Sequence, residues 1–150
     1  MTNMPTTSGW LLWALLSATF AAMTAICAKI GLQGVDSDFA TLLRTFVIVA
    51  VLAAFVAFTG KWSDPRALPP RTLLFLTLSA LATGASWVCY FRALQLGHAS
   101  QVAPVDKLSV VLVALFATAV LGERPSLREW IAIAMIAGGA VLMAWAPRTN

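Results

Sequence analysis

The composition of this 150-residue chain excludes an ordinary soluble domain, because 60% of its residues are hydrophobic and only 11% are charged. Its mean hydropathy of +0.85 indicates an integral membrane protein. A bilayer core needs roughly 20 apolar residues per helix, so this length supplies about five spans and no separate soluble domain. The net charge of +4 comes from basic residues scattered through loops and helix ends, which argues against a nucleic-acid partner.

Five apolar runs predict one transmembrane domain of five helices over residues 1–150. We expect spans at about residues 9–29, 39–59, 72–92, 100–121 and 128–146. The segment before the first run has no Lys or Arg, so it lacks the basic region of a secretory signal and the run is expected to be retained. Pro69 and Pro70 suit the first turn of the third helix. Ser126 and Glu129 have the spacing of a capping box for the fifth.

The fourth apolar run is ambiguous. Its uncharged part, Ser109 to Leu121, is too short to cross a bilayer alone. We therefore predict a helix that is capped by Ser100 and contains Pro104, Asp106 and Lys107. Pro104 would then be the fourth helical residue, where a missing N–H group costs little. A break in the helix at this point is the alternative.

Four charged side chains fall inside or at the ends of the predicted spans, namely Lys29, Arg44, Asp106 and Lys107. A charge in the bilayer core costs a few kcal/mol or more, so it normally faces a protein interior or an aqueous cavity. Successive helical residues point about 100° apart, so Asp106 and Lys107 are expected to contact different neighbours. We predict that Asp106 faces a central cavity and pairs with Lys29 or Arg44, while Lys107 snorkels or binds carbonyls. The alternative is that these charges only hold the helices together or lie at the interface.

The third span carries Thr83, Trp87 and Tyr90 on one helical face. Aromatic area with polar tips is suited to a ligand, so we expect Trp87 and Tyr90 to line the cavity. A packing stripe that ends in an interfacial tyrosine is the alternative.

Small residues in the spans indicate helix packing. Cys27 and Cys89 have neither metal-site spacing nor a secreted context, so they are interpreted as small core residues. Small pairs at four-residue spacing let helix backbones approach closely. These pairs are Ala18/Ala22, Ala80/Gly84 and Ala134/Gly138.

Catalytic motifs are absent from the sequence. It contains no phosphate-binding Gly-rich loop, zinc-ligand spacing, nucleophile elbow or His-based catalytic arrangement. We therefore expect no enzyme, no cofactor, no bound metal and no ATP-driven pump.

The basic residues are nearly balanced between the two membrane faces. The face of the N-terminus has five: Lys61, Arg66, Arg71, Arg124 and Arg128. The opposite face has four: Lys29, Arg44, Arg92 and Arg148. This weak bias is compatible with insertion in both orientations. If Lys29 and Arg44 lie inside the protein, the bias favours an inside N-terminus.

The segments "ALQLGHASQVAPVDKLSVV" and "LGERPS" resemble the second part of EamA-like members of the drug/metabolite transporter superfamily. The segment "FAAMTAICAKIGLQGVDSDFATLLRTFVIV" resembles their opening helix pair, with Lys29 and Arg44 at matching places. The resemblance spans about residues 10 to 146. It is closest to the single-repeat group of bacterial and archaeal transporters.

This resemblance implies one half of a ten-helix transporter built from two inverted five-helix repeats, with substrate bound between them. An odd number of spans means that only an antiparallel homodimer reproduces the inverted pair. We expect an inner-membrane, multi-pass secondary transporter with dual topology that moves a small organic solute, such as a metabolite or an amphipathic cation. Its polar centre is predicted to be Asp106, Lys107, Arg44 and Lys29, with Trp87 and Tyr90. The alternative is a non-transporting scaffold or accessory subunit of a larger membrane complex, and an intramembrane enzyme comes third.

Overall fold

The structure is a computed structural model that describes residues 7–145. Its helices in chain order are α1 (Thr7–Gly31), α2 (Ser37–Phe58), α3 (Pro70–Leu96), α4 (Ala99–Asp106), α5 (Ser109–Phe116) and α6 (Leu127–Ala144). A short 3₁₀ helix lies at Pro65–Ala67 and a π-helical turn at Ala117–Leu121. No strand occurs between residues 7 and 145. Ala146, the predicted end of the fifth span, and Arg148 of the charge balance lie outside the described residues.

Within residues 7–145, five helical segments are long and apolar enough to cross a membrane, so the predicted all-α, five-span fold class is confirmed. They are Gly9–Gly31, Ser37–Phe58, Pro70–Leu96, Ala99–Leu121 and Leu127–Ala144. The third helix continues to Leu96 instead of ending near residue 92.

Local sequence signals set several helix starts. Asp36 caps α2 by accepting from the backbone N–H groups of Asp38 and Phe39, at 2.9 and 3.0 Å. Pro70 is the first residue of α3, as expected, whereas Pro69 precedes the helix. The predicted capping box is confirmed at α6, where Ser126 accepts from the Glu129 backbone and the Glu129 side chain accepts from the Ser126 backbone.

The fourth span differs from the single helix predicted over residues 100–121. Its first helix begins at Ala99 with His98 as N-cap, so the expectation that Ser100 is the cap is wrong. Pro104 is consequently the sixth residue of α4, counted from Ala99, where its absent N–H removes a regular helical bond. The chain then tightens, with Lys107 N–H donating to the Pro104 carbonyl at 3.1 Å and Leu108 N–H to the Val105 carbonyl at 3.0 Å.

The chain forms two compact units. Unit 2, residues 28–95, contains α2 and most of α3, and its interior is formed by Leu32, Ser37, Thr41, Phe91 and Leu94. Unit 1 contains the described parts of residues 1–27 and 96–150, in which α4 and α5 both pack against α6. Ala25, Ala117 and Ala140 are its buried residues.

The small residues of the spans face outward. Cys27 and Cys89 are exposed, so their interpretation as core residues is wrong. A Cβ atom added at Gly84 or Gly138 would meet no atom within 4 Å, and the three small-residue pairs are exposed throughout. At most 6% of the apolar window of each span is buried within the chain. Close helix packing at these pairs is therefore not a property of the isolated chain.

Candidate functional site

Arg44 lies well inside the second span, about 10 Å along α2 from its first residue, at 1.5 Å per residue. Its guanidinium carbon is 4.5 Å from the centre of the Trp87 ring and 5.1 Å from that of Phe91. Both distances fall within the range of cation–π attraction. The side chain is half-buried, so unit 2 partly shields this charge by aromatic faces.

The two rings meet the guanidinium because of their spacing on α3. Residues four apart lie on the same helical face, so Trp87 and Phe91 form one aromatic surface opposite α2. Phe91 is buried and anchors that surface, with the Tyr90 ring edge-on to it at 6.4 Å and 62°. Tyr90 thus belongs to the same aromatic group, through Phe91.

Nη1 of Arg44 is buried and has no hydrogen-bond acceptor within residues 7–145. The three carboxylates of unit 2 are all used elsewhere. Asp36 caps α2, Asp64 caps the 3₁₀ helix by accepting from the Arg66 backbone, and Asp38 forms an ion pair with Arg92. Buried polar groups in proteins are nearly always hydrogen-bonded. The Arg44 guanidinium therefore differs from the other polar groups of unit 2, because it has a buried nitrogen without a hydrogen-bond acceptor.

Lys29 occupies a different environment in the same unit. Its Nζ donates to the Leu94 carbonyl at 2.5 Å. Leu94 is among the last four residues of α3, whose carbonyls lack intrahelical donors. A cation at a helix C-terminus also interacts favourably with the helix dipole. Lys29 therefore caps the end of α3.

Two further side chains fasten this end of α3. Arg92 Nη2 donates to Asp38 Oδ2 at 2.9 Å, and Gln95 Nε2 donates to the Val35 carbonyl at 2.9 Å. Together with the Lys29 bond they form what we term the α3 clasp. The Lys29 bond joins the last turns of α3 to the last turn of α1, the Arg92 bond joins them to the first turn of α2, and the Gln95 bond joins them to the connection between α1 and α2.

In unit 1, Asp106 and Lys107 contact each other. Lys107 Nζ lies 3.4 Å from Asp106 Oδ2, and the two side chains are 58% and 36% exposed respectively. The expectation that each would contact a different neighbour is therefore wrong for this pair. Asp106 ends α4 and Lys107 lies in the tightened turn, so the long lysine side chain folds back along the helix end.

The structure thus brings Arg44 to Trp87 and Asp106 to Lys107. The predicted pairing of Asp106 with Lys29 or Arg44 stays a prediction. Thr83 uses its hydroxyl within its own helix, donating to the Ser79 carbonyl at 2.9 Å.

Sequence reasoning missed Phe91 and Asp38. Phe91 could have been found from its four-residue spacing to Trp87. The signal for Asp38 is its place at the start of one span while Arg92 lies near the end of the next, because these two positions lie near the same membrane face.

Comparison with known proteins gives one family. The model of the EamA-like transporter family matches residues 8–145. A protein of Sinorhizobium sp. named "Uncharacterized transporter in cobO 3'region" is 59% identical over 135 residues, which cover 90% of this chain and 96% of that protein. No solved structure matches the chain.

More distant relatives come from Yersinia. A protein of Yersinia pestis (strain Pestoides F) named as a probable 4-amino-4-deoxy-L-arabinose-phosphoundecaprenol flippase subunit is 33% identical over 85 residues. The match covers 56% of this chain and 75% of that protein. A protein of the same name from Yersinia pseudotuberculosis serotype O:1b matches with the same identity and coverage.

Proposed function

Because this chain belongs to the EamA-like transporter family, we propose that it moves a small organic solute or metabolite across the inner membrane as an antiparallel homodimer with alternating access. The observation that carries this proposal is the family match over residues 8–145, which contains five potential spans. An odd number of spans places the two termini on opposite membrane faces. A second copy inserted upside down therefore supplies the inverted repeat that this class of transporter uses.

The polar centre of the proposed transporter contains charged side chains, whose direct exposure to lipid costs free energy. Lys107 is 58% exposed in the isolated chain, and Arg44 is only half-buried. Charged groups at such depths face protein or an aqueous cavity. We assign Asp106, Lys107, Arg44 and Lys29 to this centre. Trp87 and Tyr90 line it, and each residue occurs twice in the dimer.

The first test is orientation. The count of five basic residues against four is compatible with insertion both ways, but it becomes five against two when Lys29 and Arg44 belong to the polar centre, which favours an inside N-terminus, so orientation has to be measured. With Cys27 and Cys89 replaced by alanine, a single cysteine placed at either terminus should react with an impermeant thiol reagent as a mixed population in intact cells. Labelling from one side only would contradict the antiparallel homodimer.

A second test asks if the two orientations work together. Ser63→Lys with Glu123→Arg adds positive charge to the N-terminal face, and Gln33→Lys with Arg66→Ser shifts it to the other face. Each version alone should insert in one orientation and lose solute uptake in reconstituted liposomes, and co-expression should restore it. Full activity of either version alone would exclude the antiparallel arrangement.

The predicted ion pair has its own test. Asp106→Lys should impair uptake, and Lys29→Asp or Arg44→Asp should restore it in combination if the two charges attract each other. If neither combination restores uptake, Asp106 acts without these partners.

The name of the Yersinia relatives favours a second candidate, since it describes a subunit. In this alternative the chain is an accessory subunit, or a non-transporting scaffold, whose intramembrane charges contact another protein. Purified chain in liposomes separates the two. Uptake by this chain alone supports the homodimer, whereas strict dependence on a copurifying partner supports the subunit.

A further inference from the structure

We infer that Arg44 is the anion-binding group of the substrate site, and that the solute therefore carries a phosphate or carboxylate group. This assignment rests on the proposed transport function and narrows its substrate class. It also argues against an amphipathic cation, which was one of the solutes expected from the sequence.

The first step is the charge balance around Arg44. Its guanidinium is permanently charged, and all three carboxylates of unit 2 are engaged by a helix cap or by Arg92. The aromatic faces of Trp87 and Phe91 attract the cation but carry no net charge. Within unit 2, the charge inside the span is thus stabilised by aromatic rings and has no countercharge, which favours an anionic ligand there.

The second step is hydrogen-bonding geometry. Aromatic rings contact the guanidinium face, whereas its N–H groups point outward from the edge of the plane. Nη1 is buried and has no acceptor within residues 7–145. The planar fork of an arginine matches the two oxygens of a carboxylate or phosphate. The rings fix the orientation of the fork, so part of the ordering cost of binding is already met.

The third step is depth. Arg44 lies about 10 Å from the start of α2, and Trp87 lies about 13 Å from the end of α3 on the same membrane face, at 1.5 Å per residue. The guanidinium is closer to this deeper ring than to Phe91. The side chain therefore does not snorkel toward the headgroups, as an interfacial arginine would.

The chain offers a matched control. Arg71 also carries its guanidinium over an aromatic ring, 5.9 Å from the centre of Phe75, but it is exposed at the start of α3. Arg71→Gln removes the same charge and the same type of ring contact. It does so at the exposed start of α3 and leaves the surroundings of Arg44 unchanged.

The experiment measures thermal unfolding of the purified protein in nonionic detergent with inorganic phosphate, against chloride at equal ionic strength. Phosphate should raise the unfolding midpoint of the wild type and of Arg71→Gln. Arg44→Gln should raise the phosphate Kd about tenfold or more, because hydrogen bonds to charged groups are lost. Arg44→Lys, which keeps the charge but not the fork, should lie between.

A parallel arm uses micelles with and without phosphatidylglycerol. Stabilisation by this lipid but not by inorganic phosphate, lost in Arg44→Gln, identifies a lipid headgroup as the source of the anion. Stabilisation by inorganic phosphate identifies a water-soluble anion. Both results support Arg44 as an anion-binding group, and the second also supports a water-soluble anionic solute.

A third measurement needs no variant, in case Arg44→Gln does not fold. Phosphate or phosphatidylglycerol should slow the modification of Arg44 by phenylglyoxal in the wild-type protein, and leave that of Arg71 unchanged. Equal modification rates with and without both anions would overturn the assignment. An equal midpoint shift in Arg44→Gln and wild type would also overturn it.

Two outcomes separate this inference from the proposed function. If uptake is unchanged in Arg44→Gln and neither anion has an effect, the anion assignment is wrong and the proposed transport function still stands. Arg44-dependent anion binding without uptake in liposomes keeps the site and removes the transporter. If Arg44→Asp with Asp106→Arg restores stability lost in each single variant, Arg44 belongs to an ion pair and the anion assignment falls.

Discussion

Unit 1 and unit 2 each contain a charged site inside a span, and the charged groups are stabilised by different contacts in the two units. In unit 1, Asp106 and Lys107 are adjacent in sequence, oppositely charged and 3.4 Å apart. In unit 2, Arg44 has aromatic faces but no carboxylate of its own unit. The first pair is self-neutralising, whereas the second site has no countercharge within unit 2. Arg44 is therefore the site at which an external anion has most to contribute.

The largest expected effect tests the aromatic surface. Trp87→Ala should lower the free energy of unfolding by about 2–3 kcal/mol, because a half-buried ring and its cation–π contact are both lost. Denaturant titration in mild detergent measures it. Trp62→Ala, at a position 69% exposed, is the control and should change stability little. Equal effects at both positions would mean that Trp87 does not support Arg44.

Lys29 sharpens the comparison from within unit 2, because it is a second cation with a protein acceptor. Lys29→Met should cost about 2 kcal/mol of unfolding free energy, as expected for a lost hydrogen bond from a charged donor. Lys61→Met, at an exposed loop position, is the matched control. An unchanged free energy of unfolding in Lys29→Met would show that the Lys29 bond does not stabilise the fold.

A double-mutant cycle measures how strongly Arg44 depends on its ring. Arg44→Met and Trp87→Leu, made singly and together, should give a coupling free energy of about 1 kcal/mol. Coupling near zero would show that the guanidinium does not use the Trp87 face in solution.

The same cycle on the unit 1 pair should give the smallest value. Asp106→Asn and Lys107→Met should give a coupling free energy of less than about 1 kcal/mol. The distance between the two charged groups is long for an ion pair, and both side chains are partly exposed. The coupling should fall further as salt is raised. A larger coupling than that of Arg44 with Trp87 would reverse the comparison.

Much of the fold follows from local signals. The apolar runs predict all five spans, and the Ser126–Glu129 spacing predicts the capping box, since both depend on residues a few positions apart. For the fourth span we favour a single helix, and a break is the alternative; the structure has a tightened turn at Lys107–Leu108. It depends on where α4 begins, and the His98 backbone rather than the Ser100 side chain sets that start.

The site was less accessible from sequence because its contacts join distant residues. Arg44 and Trp87 were both selected, yet their stacking requires knowing which faces of α2 and α3 meet. Phe91 was overlooked for the same reason. The outward direction of Cys27 and Cys89 could not be inferred either, because an apolar helix in a membrane has no polar face to reveal its exposed side.

The α3 clasp has a consequence for local opening. Helix ends normally fray residue by residue, at little free-energy cost. Here the last turns of α3 are held by three separate bonds, made by Lys29, Arg92 and Gln95, so the helix end stays in place when any one of them breaks and is released only when all three are broken. Unwinding of this terminus must be concerted, and amide hydrogen exchange at residues 93–96 should report a single cooperative event.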